Sequence, residues 1–267
     1  MMRNRFALAG GLTLVVLAVV AVAAPWISPH DPLAVNLSDA LLPPSARYPL
    51  GTDQLGRDVF SRLIYGTRIS LLIGFLSVGI AVLVGTAVGA LAGYYGGWLD
   101  AALMRLVDTM LAFPSIFLLL AVIALVEPSI YTIMAVIGLT GWMGVARLLR
   151  AEILSLKERE FVLAARALGA SSWRLIMKHL LPNALAPILV NATLGVGGAI
   201  LTESALSYLG LGVQPPTPSW GNILNEGRIA LGVAWWLTVS PGLCIFTTVL
   251  AFNLLGEGIR NWLSRSH

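Results

Sequence analysis

The sequence contains few charged residues for its length. Only 11% of its 267 residues are charged, whereas a soluble domain carries roughly 25%; 57% are hydrophobic, and the mean hydropathy is +0.84. A chain of this length could bury a large core, but it has too little polar material to cover one. We therefore expect the lipid bilayer to be its solvent. We interpret the net charge of +4 as a signal of membrane orientation, not of nucleic-acid binding.

Cysteine and histidine are also scarce. The single cysteine, Cys244, excludes an intrachain disulfide framework and a zinc site built from cysteines, and its apolar surroundings predict a small buried hydrophobe. The three histidines, His30, His179 and His267, lie outside the long apolar stretches. This argues against an intramembrane serine–histidine protease and a histidine-rich metal channel, so we predict no catalytic or metal-binding residue.

A P-loop is missing as well. That phosphate-binding motif requires Gly-Lys followed by Ser or Thr, but the only lysines are Lys157, after Leu156, and Lys178, after Met177. We therefore expect the chain to have no ATPase site and to hold no cofactor.

Long apolar runs dominate what is present. A helix needs about 20 apolar residues to cross a hydrocarbon core of roughly 30 Å. Six stretches qualify: residues 6–24, 69–92, 106–126, 130–149, 184–211 and 235–255. They must be helices, because an unpaired backbone cannot face lipid. The predicted fold is therefore all-α, a polytopic membrane protein with six transmembrane helices.

The first stretch has an alternative interpretation as a cleaved signal peptide. Arg3 and Arg5, an apolar run and Ala21-Val22-Ala23 imitate such a peptide and its cleavage site. The run is about 19 residues, longer than the 7–15 typical of a signal peptide. We favour a retained first helix.

Basic residues predict the orientation. With the amino terminus inside, twelve fall in cytoplasmic segments: Arg3, Arg5, Arg105, Arg147, Arg150, Lys157, Arg159, Arg166, Arg174, Lys178, Arg260 and Arg265. Five fall outside: Arg47, Arg57, Arg62, Arg68 and Arg228. This asymmetry predicts that both termini are cytoplasmic.

Glycines at regular spacing predict close helix contacts, because lipid offers no hydrophobic drive for helix association. The series are Gly85, Gly89 and Gly93 in the second span, and Gly138, Gly141 and Gly144 in the fourth. Whether they pack within the chain or against a second subunit is left open.

Ionisable groups within the spans are few. Arg105 and Asp108 are spaced i, i+3, which predicts a structural pair on one helix face. Glu203 has no charged residue within helical reach. We predict that it lies near a translocation path or a subunit seam; the alternative is a purely structural hydrogen bond.

The segment 147–182 is too polar to span a membrane. Residues 151–168 are rich in helix formers without Gly or Pro, and Gly169 is expected to end that helix. Ser171 or Ser172 would cap a second helix, which Leu181-Pro182 would end. A protruding helix with a small-residue tip suits a groove on a partner. The alternative is a basic connector on anionic lipid.

This segment resembles the "EAA" coupling motif of bacterial ABC importer permeases. The resemblance rests on Ala164-Ala165, Gly169 and His179-Leu180-Leu181-Pro182; Leu163 stands where the motif has glutamate, and Glu160 is the nearest acid. It implies a helix that docks on an ATPase subunit through Glu160, Ala164, Ala165, Arg166, Gly169, Ser171, His179, Leu181 and Pro182.

Three further stretches resemble the C-type permease of the dipeptide, oligopeptide and nickel branch. They are residues 50–62 (LGTDQLGRDVFSR), 203–221 (ESALSYLGLGVQPPTPSWG) and 251–256 (AFNLLG). The first two supply the remaining expected sites. Glu203, Ser204 and Ser207 would lie at the translocation path or subunit seam, and Asp53, Arg57, Asp58, Pro216 and Trp220 would gate the outer face or dock a binding protein.

The resemblance implies two units: residues 1–68, a first helix with a small ordered outer segment, and residues 69–267, an importer transmembrane domain with a coupling loop at 150–182. It also implies half of a translocation path for peptides or a similar small solute in a bacterial inner membrane. The partners would be a homologous second permease in a heterodimer, two subunits that bind ATP and Mg, and an extracytoplasmic solute-binding protein. The alternatives are an ion-driven secondary transporter, a membrane enzyme and, for the substrate, nickel or a nickel chelate.

Overall fold

The computed structural model describes residues 2–127 and 129–263, without the side chains of residues 2–4. Arg265 and His267 lie outside the described residues, as does the side chain of Arg3. The helices are α1 Met2–Ile27, α2 Val59–Tyr95, α3 Gly97–Leu111, α4 Ser115–Ile123, α5 Ile130–Leu156, α6 Glu160–Ala167, α7 Ser172–Arg174, α8 Leu181–Tyr208, α9 Trp220–Ile229 and α10 Trp236–Leu263. Leu37–Asp39 form a 3₁₀ turn, and Leu175–Leu180 form a π-helical stretch between α7 and α8.

The long helices run between two ends of a bundle. We call the end with residues 28–58 and 209–235 the cap end, and the end with residues 157–171 the loop end. Near the start of α10, Trp236 Nε1 donates to the Thr52 carbonyl, 3.0 Å away, at the cap end. Towards its other end, Arg260 shares a cavity with Arg159 at the loop end. Alternation of the helices places both described termini at the loop end.

Six crossings were predicted, and the described residues confirm them with one correction. Five helices are each long and apolar enough to cross a membrane, and a sixth crossing is the pair α3 and α4, bent by 86°. The third span is therefore not one helix over 106–126. The chain breaks at residues 112–114, because Pro114 cannot continue a helix from the preceding turn.

The bent pair still connects the two ends. Asp100 in α3 binds Arg150 near the loop end. In α4, Leu119 and Ile123 pack with Leu206 and Val213 near the cap end. Neither helix crosses alone, since nine residues of α4 rise only about 14 Å.

The glycine series of α2 packs within the chain, against α5. A Cβ at Gly85 would lie 2.6 Å from Val145 Cβ, and one at Gly89 would lie 2.6 Å from the Ala146 carbonyl oxygen. At Gly93 the nearest atom is the Arg150 carbonyl oxygen, 3.0 Å away. The predicted close contact is confirmed along about two turns of α2.

The second series agrees only in part. A Cβ at Gly138 would lie 2.7 Å from the Ser77 carbonyl oxygen and one at Gly141 3.5 Å from Ala81, but one at Gly144 would meet nothing within 4 Å. Steps of three residues turn by about 300° each. The third glycine therefore faces away from α2 and makes no close contact among the described residues, so a contact with a second subunit stays a prediction for it.

The predicted Arg105–Asp108 pair was wrong. Asp108 accepts from Arg147 Nη2 on α5, and Arg105 is exposed. Asp100 binds Arg150 in the same way, at 2.5 Å and 2.6 Å. Two arginines of α5 thus bind two aspartates of α3, and these ion pairs between helices form in place of the predicted pair within α3.

The loop end also departs from prediction. Residues 151–168 form two helices, because α5 ends at Leu156 and α6 begins at Glu160. The turn between them returns fully buried Val162 to the core, where it packs with Leu175 and Leu180. Burial of this side chain outweighs the helix propensity of the intervening residues.

Leu181-Pro182 does not end a helix, again contrary to prediction. The chain is helical from Ser172 to Tyr208. Pro182 is the second residue of α8 and directly follows the wider π-helical stretch. The boundary drawn at 68/69 falls inside α2, and the division into two units stays a prediction.

Candidate functional site

The first candidate site is the exposed surface at the loop end. Only Val162 is buried on α6, whereas Leu168 is 90% exposed and Trp173 71% exposed. We call residues 160–173 the loop-end surface. Of the residues predicted to couple, Glu160, Ala164, Arg166, Gly169, Ser171 and Pro182 are exposed, and Ala165, His179 and Leu181 are half-buried.

The bend at Gly169 has a defined geometry. Gly169 has φ +83°, the Ala170 N–H donates to the Ala165 carbonyl at 3.1 Å, and the Gly169 N–H donates to the Arg166 carbonyl at 3.0 Å. This pair of bonds is the Schellman motif, which favours glycine at the left-handed position. Ser171 then accepts from the Arg174 N–H at 3.4 Å and caps α7. Both predicted local roles are confirmed; docking on an ATPase stays a prediction.

The second candidate site surrounds Glu203, which is fully buried in α8. Its Oε1 accepts from Ser207 Oγ at 2.7 Å and from Ser219 Oγ at 2.9 Å. Its Oε2 has no hydrogen-bond partner among the described residues. Ser219 in turn caps α9 in a capping box with Asn222. The carboxyl group therefore connects α8 to the start of α9. This contact agrees with the alternative prediction that Glu203 makes a structural hydrogen bond.

Close packing surrounds this connection. A Cβ at Gly221 would lie 2.8 Å from Ser204 Cα, and one at Gly212 would lie 1.9 Å from Ser207 Oγ. Ser207 Oγ also accepts from the Val213 N–H at 3.1 Å. A role of this cluster at a translocation path or subunit seam stays a prediction.

A third site, the cap network, joins Asp53, Arg57, Arg62 and Glu226. Arg57 Nε binds Asp53 Oδ2 at 2.7 Å, and Arg57 Nη2 binds Glu226 Oε1 at 3.0 Å. Arg62 Nη1 bridges both acids, and Arg62 Nη2 binds Glu226 Oε1 at 2.9 Å. Glu226 was missed because it lies 164 residues from Arg62, a separation that no local pattern reveals.

Other polar side chains at the cap end make local hydrogen bonds. Asp58 caps α2 by accepting from the Ser61 N–H at 3.0 Å, and Tyr48 donates to Asp39 at 2.7 Å. This bond to a carboxylate raises the pKa of the Tyr48 hydroxyl. Trp220 is fully buried and donates to the Leu63 carbonyl at 3.2 Å.

Of the five residues predicted for the outer face, only Pro216 is exposed. Asp53, Arg57, Asp58 and Trp220 lie inside and hold the cap segment against α2 and α9. Docking of a binding protein would therefore use their exposed neighbours, and the role itself stays a prediction.

A central cavity of about 240 Å³ lies between α2, α4, α5 and α8. Its polar lining is Ser77, Ser115, Thr140, Asn191 and Thr202. Glu203 does not line the central cavity, because its carboxyl group binds Ser219 at the start of α9. Sequence reasoning missed the cavity, although hydroxyl and amide side chains within four apolar stretches are a signal that could have found it. Among the described residues, no group of three or more His, Cys, Asp or Glu could hold a metal ion.

Solved structures match this fold. An inward-facing conformation of the MetNI methionine ABC transporter aligns with a TM-score of 0.61 at 20% identity, covering 76% of this chain and 96% of that one. An amino acid ABC transporter with histidines aligns with a TM-score of 0.56 at 16% identity, covering 76% and 92%. At these identities the likeness concerns the fold alone.

Curated relatives are closer in sequence. The dipeptide transport system permease protein DppC of Alkalihalophilus pseudofirmus is 42% identical over 261 residues, covering 98% of this chain and 86% of the relative. The glutathione transport system permease protein GsiD of Pectobacterium atrosepticum is 41% identical, covering 98% and 87%. The di/tripeptide transport system permease protein DppC of Pseudomonas aeruginosa is 43% identical, covering 97% and 88%.

Two family models match the chain. Residues 1–44 match the N-terminal transmembrane domain of oligopeptide transport permease C, and residues 85–266 match the binding-protein-dependent transport system inner membrane component. This confirms the resemblance found in the sequence and sets aside the ion-driven transporter. The chain belongs to the family of binding-protein-dependent inner membrane components, the permeases of ABC importers.

Proposed function

We propose that this chain forms half of the translocation path of an importer for short peptides. The supporting observation is that relatives more than 40% identical over nearly the whole chain are named for dipeptides, di/tripeptides and glutathione. Each name denotes a peptide of two or three residues or a related compound. Nickel, the alternative substrate, finds no support in these names.

The importer needs partners that this chain does not supply. A second, homologous permease completes the path, two ATPase subunits bind ATP and Mg, and a solute-binding protein delivers the peptide. This chain then acts as a transport subunit and not as an enzyme. Its contribution to energy coupling is the loop-end surface, whose exposed apolar side chains, Phe161, Leu168 and Trp173, suit a protein groove.

The loop end faces the cytoplasm in this proposal, with both termini inside. Basic residues concentrate there, while arginines at the cap end are offset by acids. Arg57 and Arg62 bind Asp53 and Glu226, and Arg47 lies 3.5 Å from Asp39. The excess of positive charge is thus on the loop end, as expected for the cytoplasmic side.

At the outer face, the Glu203 cluster and the cap network keep α2, α8 and α9 together. Since α9 contacts both networks, through Ser219 at its start and Glu226 near its end, it can transmit contact with a binding protein to α8. We propose this assembly as the outer gate.

The test is transport by the complete importer in proteoliposomes. With its second permease, ATPases and binding protein, the chain should support ATP-dependent uptake of a dipeptide. Changing the P-loop lysine of the ATPases should abolish that uptake. Uptake driven by an ion gradient without the ATPases, or import of nickel but no peptide, would overturn the proposal.

A further inference from the structure

A second polar cavity opens at the loop end, between α5, α8 and α10. Its volume is about 620 Å³, and we call it the exit cavity. One part of its lining is polar: Glu152, Ser155, Arg159, Asn183 and Arg260. The other part is apolar: Leu156, Ala186, Pro187, Val190 and Leu263. None of the predicted site residues lines it.

The charged groups of the exit cavity lack protein partners. Among the described residues, Arg159, Arg260 and Glu152 form no side-chain hydrogen bond or ion pair, unlike Arg147 and Arg150 on the same side of the bundle. A guanidinium binds a carboxylate strongly through paired N–H groups. Two free guanidinium groups and one free carboxylate around a cavity therefore suit a ligand that carries both signs of charge.

We propose that the exit cavity binds the transported peptide on its way to the cytoplasm. This inference rests on the proposed function. The peptide carboxylate binds Arg159 and Arg260, its ammonium group faces Glu152, and the apolar lining accepts its side chains. The polar and apolar halves together match a short zwitterion better than a simple anion, which Glu152 would repel.

The position of the exit cavity along α5 supports a route. Gly141 and Val145 line the central cavity, and Glu152 and Leu156 line the exit cavity. At about 100° per residue these four positions fall within roughly 60° of one helix face, and Gly141 to Glu152 spans roughly 16 Å. On α8 the two linings meet at the adjacent residues Val190 and Asn191.

The exit cavity is also next to the coupling element. Arg159 is the residue that precedes α6 at its start, whereas Asn183 and Arg260 belong to α8 and α10. A displacement of α6 away from α8 and α10 by an ATPase subunit would separate Arg159 from the other two. The ATPase cycle would thereby weaken the site and release the peptide.

The test measures peptide binding to the complete importer in nanodiscs, without ATP and without the binding protein. The probe is radiolabelled Ala-Phe, compared with Ala-Phe amide, which lacks the carboxylate. We expect Arg260→Gln to weaken binding of Ala-Phe roughly tenfold and to leave the already weak binding of the amide unchanged. Arg105→Gln, a matched change of an exposed loop-end arginine outside the cavity, should alter neither.

Two outcomes would overturn the inference. The first is equal binding of Ala-Phe by the wild type and Arg260→Gln. The second is a lipid occupant: native mass spectrometry would then show phosphatidylethanolamine retained by the wild type and lost from Arg260→Gln, with no peptide bound.

ATP-dependent uptake, assayed in parallel, separates this inference from the proposed function. A complex that imports Ala-Phe without binding it in the exit cavity refutes only this inference, whereas one that imports no peptide refutes the proposed function as well.

Discussion

The two ends of the bundle differ in how they hold charge. At the cap end, Arg57 and Arg62 are buried and bind Asp53 and Glu226 of the same chain. At the loop end, by contrast, three arginines are exposed and have no side-chain partner among the described residues: Arg159, Arg166 and Arg260.

At the cap end the buried arginines find their partners within the chain, whereas at the loop end these exposed arginines have none in the described part of the chain. A buried charge is tolerated only where a partner offsets its loss of hydration. The cap end satisfies that condition internally, so its network stabilises the fold. The loop end leaves charges and large apolar side chains exposed, so its stability depends little on them, and in the proposed function they serve to bind partners.

The largest expected effect comes from breaking the cap network. Arg62→Ala would remove the guanidinium that bridges Asp53 and Glu226 and leave Arg57 as the one arginine bound to both acids. Loss of one partner of a buried pair costs about 3–5 kcal/mol. We expect a lower midpoint of thermal unfolding for the purified complex in detergent. Arg47→Ala is the control, since Arg47 is 67% exposed and an exposed pair contributes about 0–1 kcal/mol. Equal midpoints for the two variants would mean that the network does not stabilise the cap end.

The glycine contact between α2 and α5 should come next. Gly85→Val would place a branched side chain 2.6 Å from Val145 Cβ, and overpacking of this kind typically costs about 1–3 kcal/mol. Gly79→Val tests the same substitution on the same helix where a Cβ meets nothing within 4 Å. Thermal unfolding should distinguish the two, and an equal loss would indicate an effect of helix propensity alone.

Changes at Glu203 should destabilise the protein by a comparable amount, and the loss should depend on whether the new side chain can accept a hydrogen bond. Glu203→Leu would leave the hydroxyls of Ser207 and Ser219 without their acceptor, which costs about 1–3 kcal/mol for a buried group. Glu203→Gln keeps an acceptor oxygen and should be milder in thermal unfolding. If Gln is as damaging as Leu, the negative charge itself is required, and the interpretation as a structural hydrogen bond is wrong.

The smallest effect on stability, but not on transport, is expected at Gly169. A residue with a Cβ in the left-handed conformation costs roughly 1–2 kcal/mol, and Gly169→Val would change the bend locally while membrane insertion stays intact. We expect less peptide imported per ATP hydrolysed in proteoliposomes. Gly169→Asn, which tolerates this conformation, should retain most coupling. Normal coupling in the valine variant would contradict the assigned role of the loop-end surface.

Local patterns predicted well what depends on a few neighbouring residues. Five of the six apolar stretches as single helices, the spacing of Gly85, Gly89 and Gly93, the bend at Gly169 and the cap at Ser171 all follow from periodicity or from the conformational preference of one residue. Each of these features is present in the structure.

What failed depends on contacts between distant residues. Asp108 could pair within α3 or across to α5, and only the packing of the helices selects Arg147. Residues 157–159 leave the helix because Val162 is buried elsewhere. The partner of Arg62 is Glu226, on a helix that sequence patterns did not predict.

The close approach of α2 and α5 also limits how the protein can move. Because side chains of α5 lie directly against the backbone of α2 at three successive glycines, sliding one helix along the other would drive these side chains into the next turn. The two helices should therefore travel as one rigid body. Since α5 and α8 both line the central cavity and the exit cavity, we expect opening and closing to occur as shear between α8 and the α2–α5 pair.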